Sequence, residues 1–385
     1  MPQAFVFEIC QGFSRFVLIE ETFEGLSQQC EKQLMIEHLD ALGYDNQVFV
    51  PTYDKDLAVI KPNDNVNVSE CFNKWDRLVF DYKQQKIIKA IEGHYDVASF
   101  DLIHAYTLYT DGNAARVLSE KYGVPYVVAV RNTDVNDFFK KMIHLRKRGL
   151  KTLLAAKEVF FLSEAYRQQV FEKYISQKYQ EEIKKKTQII PNGIDAFWFE
   201  NKPTIAKTID KKTTKLVYAG RIDKNKNIPT TIKAMEILRK QGYETTLTVV
   251  GKVQDEKEFQ IIKNAQYTTC LPAMPKEKLI DIYRESDIFV MPSFTESFGL
   301  VYAEAMSQGL PVIYSKGQGF DNQFAEGVVG YHVDSGSPDD VAEGIKRIIE
   351  NYSDIQKNVV DAARDFNWIK LIEKYDQVYR TIVVK

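Results

Sequence analysis

Short apolar runs alternate with amphipathic stretches along almost the whole chain, and that alternation restricts the fold more than any other feature. Runs such as Asp287-Ile288-Phe289-Val290-Met291 are too short for helices and too continuously apolar for a half-exposed strand, so they predict strands buried on both faces of a parallel sheet. Helical stretches between them supply the crossovers, which makes this an α/β protein. In the first half, strands are expected at Phe16–Glu20, Gln47–Pro51, Leu102–Ala105, Tyr126–Val130 and Val159–Leu162, with helices at Gln28–Leu42 and Gly112–Tyr122. Ala4–Ile9 is a competing first strand. In the second half, strands are expected at Lys215–Ala219, Thr245–Val250, Asp287–Met291 and Pro311–Tyr314, with helices at Pro229–Gln241, Lys276–Arg284, Gly299–Gly309 and Pro338–Glu350.

The pattern breaks at Pro191-Asn192-Gly193-Ile194-Asp195 and again over Asn201–Thr214, a polar Lys- and Thr-rich stretch without apolar periodicity. This is the linker, and 385 residues divide there into units of ordinary domain size. The expected division is residues 1–195, 196–365 and a closing helix in 366–385 that packs back on the first domain through Trp368, Ile369, Ile372, Tyr375, Val378 and Tyr379. Two doubly wound domains place ligands at the carboxyl ends of their strands, in the cleft between them.

Composition narrows the partner. A net charge of −2 gives no overall reason to expect nucleic acid. The four cysteines are widely spaced without a C-x-x-C pair or a histidine cluster, so neither a disulfide framework nor a zinc site is indicated, and a reducing, cytoplasmic setting fits. No apolar run approaches the roughly 18 residues of a membrane span. Any membrane contact is then peripheral, at the inner face.

The densest chemistry lies in Pro292-Ser293-Phe294-Thr295-Glu296-Ser297-Phe298-Gly299-Leu300-Val301-Tyr302-Ala303-Glu304-Ala305, a strand-to-helix loop with two carboxylates eight residues apart. Phe298, Gly299 and Leu300 would offer free backbone N–H groups at the positive end of a helix, where phosphate or sugar oxygens are held. Glu296 would accept from sugar hydroxyls and Glu304 from a ribose diol, a task for an acceptor-only group with two oxygens.

With Asp101-Leu102-Ile103-His104-Ala105, Ile190–Asp195, Tyr218-Ala219-Gly220-Arg221 plus Lys226, Val249-Val250-Gly251 and Gly309-Leu310-Pro311-Val312, this element resembles the family-four retaining glycosyltransferases, whose two-domain fold is called GT-B. The resemblance covers nearly the whole chain. It implies two Rossmann-like domains facing a central cleft and the transfer of a hexose or N-acetylhexosamine from a nucleoside diphosphate sugar, by family frequency UDP-linked. The acceptor would be a hydroxyl of a glycan, a lipid-linked molecule or a protein. It further implies that Gly220 ends a strand so that Arg221 and Lys226 oppose the charge gathering on the departing diphosphate, with no metal and no other cofactor. Surface ion pairs are the ordinary alternative.

Four further positions follow from the resemblance. Gly25 stands where relatives carry a glycine-rich loop that approaches the diphosphate, although Leu26 replaces a second glycine. Arg131 stands where many relatives have a histidine; it cannot act as a base but suits a phosphate or an anionic acceptor. Asp134 matches the family's acidic residue and would orient hydroxyls, and His104 is an acceptor-side candidate whose ordinary reading is a core histidine. Asp54-Lys55-Asp56 has the D-x-D form of metal-dependent enzymes without its context. The cations of 140–151 among Phe138, Phe139, Met142, Ile143 and Leu145 suggest a basic amphipathic helix for an anionic membrane or a lipid-linked acceptor, or else one packed on the first domain. Two rivals to a transferase are a noncatalytic partner with the same fold and a sugar-nucleotide epimerase.

Overall fold

The computed structural model describes residues 15–19, 35–54, 65–203 and 207–383. Gly25, Ala4–Ile9 and Lys55-Asp56 lie outside the described residues. The first seven strands, β1 (Arg15–Ile19), β2 (Asp45–Thr52), β3 (Val66–Glu70), β4 (Leu102–Ala105), β5 (Tyr126–Val130), β6 (Glu158–Phe161) and β7 (Thr187–Ile189), form one sheet in the order β3-β2-β1-β4-β5-β6-β7. The next six, β8 (Thr213–Ala219), β9 (Glu244–Gly251), β10 (Thr268–Pro272), β11 (Ile288–Val290), β12 (Val312–Ser315) and β13 (Gly330–Val333), form a second in the order β10-β9-β8-β11-β12-β13. Every pairing is parallel. Both orders reverse beside the first strand of the sheet, which is the switch-point geometry of doubly wound folds.

The four strands that the apolar runs did not announce, β3, β7, β10 and β13, are the four sheet edges. An edge strand is covered less and bonded on one side, so Thr187–Ile189 and Thr268–Pro272 carry exposed or half-buried residues instead of an apolar run. The central strands show the opposite: β4, β5 and β12 are buried at every position.

The closing helix, Trp368–Val383, crosses back to the first sheet, where Leu371, Ile372, Tyr375, Val378 and Tyr379 join Leu102, Val127 and Phe160 in one core. Ile369, expected on its apolar face, is exposed, and Leu371 takes that role. The two passages between the sheets run side by side: Ile194 N–H donates to the Phe366 carbonyl at 2.8 Å, and the Trp368 ring lies so close over Gly193 that a Cβ there would sit 2.8 Å from it.

The expected basic amphipathic helix is instead three pieces: a π-helical turn Asp134–Phe139, a 3-10 turn Ile143–Leu145 and a helix Arg146–Ala155. Phe139, Leu145 and Leu153 face the core, which breaks the single apolar stripe that a membrane helix needs.

Candidate active site

Loops at the carboxyl ends of the two sheets meet. Asn132, after β5, donates to Ser297 Oγ at 3.2 Å, and Gln323 Nε2, after β12, reaches the Leu162 carbonyl at 3.3 Å. Tyr166, on the helix after β6, places its hydroxyl 2.5 Å from the Glu296 carbonyl oxygen and 2.9 Å from Asn132 Oδ1, and its single proton serves one of them.

On the second sheet the site is built from neighbouring strands. Gly220 directly follows β8 and Gly251 ends β9, and a Cβ on Gly251 would lie 1.7 Å from the Gly220 carbonyl oxygen. Only glycine permits that approach, which gives the Val249-Val250-Gly251 motif its physical reason. The loop that follows Gly220 carries Arg221 and Lys226, and Asn225 laces it to the loop after β11. Asn225 accepts from Phe294 N–H (2.9 Å) and Thr295 N–H (3.0 Å) and donates to the Thr295 carbonyl (2.8 Å). Asn227, held at φ +55°, donates to the Pro292 carbonyl at 2.9 Å. These bonds fix Lys226 against Glu296.

The two residues form an ion pair, Lys226 Nζ to Glu296 Oε2 at 2.6 Å, with both side chains nearly buried. Two of the three ammonium protons remain for a ligand. Arg221 is the more open cation, more than half exposed and 3.8 Å from Asp223 at its nearest approach. The Glu296 backbone is clamped by Gly319 N–H, which donates to its carbonyl at 3.1 Å, and by Gln318 Oε1, which accepts its N–H at 3.0 Å.

Gly299 caps the helix Leu300–Ser307 at φ +76°, a conformation a side chain resists; a Cβ there would also strike the Tyr302 ring at 2.4 Å. Among the described residues the N–H groups of Phe298, Gly299 and Leu300 find no protein acceptor, so they remain available at the helix's positive end. One turn in, the Glu304 carboxyl takes no hydrogen bond from a protein donor among the described residues; only its backbone carbonyl is engaged, by Ser307 Oγ at 2.6 Å. Burial, reinforced by the nearby Asp195 carboxylate and opposed by Lys276, pushes the carboxyl up to about 7. Asp195 and Lys276 are paired with each other, a contact across 81 positions that sequence reasoning missed.

The first-domain candidates behave differently. Asp134, expected to orient hydroxyls, is fully buried and accepts from the N–H groups of Leu108 (3.0 Å), Tyr109 (3.2 Å) and Arg131 (2.8 Å), so it orients the loop after β4 instead of a ligand. Burial outweighs those bonds and raises its carboxyl to about 6. Arg131 donates to the Tyr106 carbonyl (3.0 Å) and Asn192 Oδ1 (2.8 Å) and lies over the Tyr106 ring, tying β5 to the linker. His104 belongs to the core: its Nδ1 meets the Tyr379 hydroxyl at 2.5 Å, its ring stacks on Tyr106, and burial, aided by the Arg131 charge, lowers its pKa to about 3. A constellation without any sequence signal, His332 with Asp321 and Glu326, stands behind the Gln318 loop; Asp321 also accepts from Gly317 N–H at 2.7 Å, which braces that loop.

Two parallel sheets meeting at their carboxyl ends, with a cation–carboxylate pair and open amides on the second, define a transferase of the GT-B class. The comparisons agree. The pattern of the Glycosyltransferase Family 4 proteins matches residues 33–196, and that of Glycosyl transferases group 1 matches residues 201–366. A D-inositol 3-phosphate glycosyltransferase of Paenarthrobacter aurescens is 25% identical over 306 residues, covering 74% of this chain and 73% of the relative. Among solved structures, sucrose-phosphate synthase of Thermosynechococcus elongatus superposes with a TM-score of 0.70 at 20% identity, covering 96% of this chain and 98% of the other. HepE of Anabaena, solved with UDP and glucose, gives 0.66 at 16% identity, covering 96% and 100%. The chain belongs to the family-four glycosyltransferases and is an enzyme of that kind.

Proposed function

We propose that this glycosyltransferase moves a hexose or N-acetylhexosamine from a UDP-linked donor to a hydroxyl acceptor, with retention of configuration and without a metal. The observation that carries the reading is the Lys226–Glu296 pair beside the unengaged amides of Phe298–Leu300. A diphosphate seated there meets two ammonium protons, the Arg221 guanidinium and a helix N-terminus, all of which oppose the charge that grows on it as the glycosidic bond breaks. Glu296 Oε1, which among the described residues accepts only the Ser297 N–H at 3.1 Å, can take a sugar hydroxyl, and Glu304 suits the ribose diol. No side-chain nucleophile is assigned; the leaving phosphate receives the acceptor proton on the face from which it departs. Closure of the first domain over Glu296 and Ser297 excludes water and favours transfer over hydrolysis. HepE, solved with UDP and glucose, supports the donor class.

The acceptor is a hydroxyl of a growing glycan or lipid-linked molecule; a phosphorylated polyol is the second reading, favoured by the relative that acts on D-inositol 3-phosphate. Nucleoside diphosphate release by the purified chain, measured over a panel of nucleotide sugars with and without acceptors of both kinds, tests this. Lys226→Met, Glu296→Ala and Arg221→Ala should each lower transfer by about 10²–10³-fold while the protein remains folded. Parent rates in those variants would end the site assignment. A product of inverted configuration, or loss of activity on chelation, would overturn the mechanism.

A further inference from the structure

The exposed large apolar side chains of the described residues are not scattered. Trp75, Leu78, Val79, Tyr82, Met142 and Ile143 are six of eleven, and they come from two short segments of the first domain. These segments touch: Arg148 pairs with Asp81 at 2.5 Å and lies over the Phe80 ring, which packs against Phe138.

Local structure explains why these residues face outward. Asn73 caps the 3-10 turn Lys74–Leu78 in a reciprocal box, and Asp76 points inward, accepting Asn73 N–H and Lys86 Nζ at 2.7 Å each. In a 3-10 turn residues three apart eclipse, so Trp75 and Leu78 share the opposite, outer face, at 77% and 79% exposure. Tyr82 follows one turn after Leu78. On the second segment Leu145 takes the core side and Ile143, at 65%, takes the outside.

Charge supplies the second observation. Residues 137–151 hold six Lys and Arg against one acid, Asp137, although the chain as a whole is at −2. Asp137 and Asp81 are already neutralised by Lys141 and Arg148, whereas Lys140, Lys147 and Lys151 are exposed and carry no ion pair among the described residues. An apolar rim with a Trp and a Tyr beside unpaired lysines matches the boundary of an anionic bilayer, where rings and aliphatic tips enter the headgroup region and cations meet phosphates.

We propose that residues 74–82 and 140–151 form one docking surface for an anionic lipid bilayer. The same chain segment runs from the cleft residues Arg131 and Asn132 to this surface, so docking would set the acceptor side of the cleft beside the membrane. The inference stands apart from the choice of donor.

Cosedimentation of the full chain with vesicles of phosphatidylcholine, pure or mixed with phosphatidylglycerol, tests it. Binding is expected to the mixed vesicles alone and to weaken as salt rises. Trp75→Ser with Leu78→Ser, and separately Lys140→Gln with Lys147→Gln, should each reduce partitioning about tenfold or more, since each lysine near such a surface accounts for about fivefold. Thermal stability and stabilisation by UDP should be unchanged in both variants, because none of these residues touches the cleft. The proposal is overturned by no binding to the mixed vesicles, by equal binding to neutral ones, by binding that the variants do not change, or by a dimer in light scattering that the Trp75/Leu78 variant dissociates. The last result would make a second copy the occupant of this face.

Discussion

Glu304 offers a test that separates a binding residue from a structural one, because a group held for a ligand costs stability while the ligand is absent. Its carboxyl is raised from 4.5 to about 7, chiefly by burial and then by Asp195. At about 1.4 kcal/mol for each tenfold in the proton equilibrium, the limit is about 3 kcal/mol, and screening by the solvent it still meets reduces this to about 1–2 kcal/mol. The folded state holds the proton more tightly than the unfolded chain. The cost is therefore absent below pH 4.5, grows as pH rises towards about 7, and is constant above it. Glu304→Gln, isosteric with the protonated acid, should match the parent in urea unfolding near pH 4.5 and exceed it by about 1–2 kcal/mol above pH 7. Fluorescence of the buried Trp198 reports the second domain directly. In the same variant UDP should stabilise less, because an amide offers one acceptor oxygen where a carboxylate offers two. A gap that does not vary with pH, or a variant no more stable than the parent above pH 7, would refute the reasoning.

Lys226→Met leaves the Glu296 carboxylate nearly buried without its cation and should lower stability by about 2–4 kcal/mol; Glu296→Gln added to it should recover most of the loss in a double-mutant cycle. Gly251→Ala forces a methyl within 1.7 Å of the Gly220 carbonyl oxygen and should cost about 3 kcal/mol or prevent folding of the second domain, read by urea unfolding. Gly93→Ala, in the helix Phe80–His94 with nothing within 4 Å, should instead raise stability by about 0.5–1 kcal/mol. Asp134→Ala strands three amides, two of them buried, and should cost about 3–5 kcal/mol, with Asp134→Asn recovering part of it, checked by thermal unfolding alongside donor binding.

How much of this was legible in the sequence depended on whether the signal was local. Central strands such as β4, β5 and β12 are buried at every position, and a run of apolar residues is the direct mark of that environment. Thr187–Ile189 is half exposed and is specified by its pairing with β6, a relation that no window of sequence contains. The segment 140–151 failed for a related reason: its apolar residues are shared between the core and the surface, and periodicity assigns them to one face. The Phe298–Leu300 element was legible because a Gly at a helix start, after a Pro that ends a strand, is chemistry written within eight residues.

The residues of the cleft divide along the same line. Arg221, Lys226 and Glu296 sit in loops or turns and Glu304 in the helix that follows one, each announced by its local sequence, yet what fixes their chemistry is contact at a distance: Lys226 with Glu296 across 70 positions, Asp195 with Lys276 across 81, Tyr166 with Glu296 across 130. Asp134 and Arg131 show what stays hidden when only the local half is visible. Their residue types suit a ligand, but the loop after β4 and the linker had unsatisfied amides and carbonyls of their own, and a buried polar group goes to whichever partner the fold supplies. Glu296 is the converse case. Its carbonyl and N–H are taken by Gly319, Tyr166 and Gln318, so its carboxylate is held by a backbone that has no remaining freedom to withdraw, and one of those three restraints comes from the other domain. The position of the carboxylate that would meet the sugar is thus linked to closure of the cleft, and the link runs through a tyrosine that no motif contains.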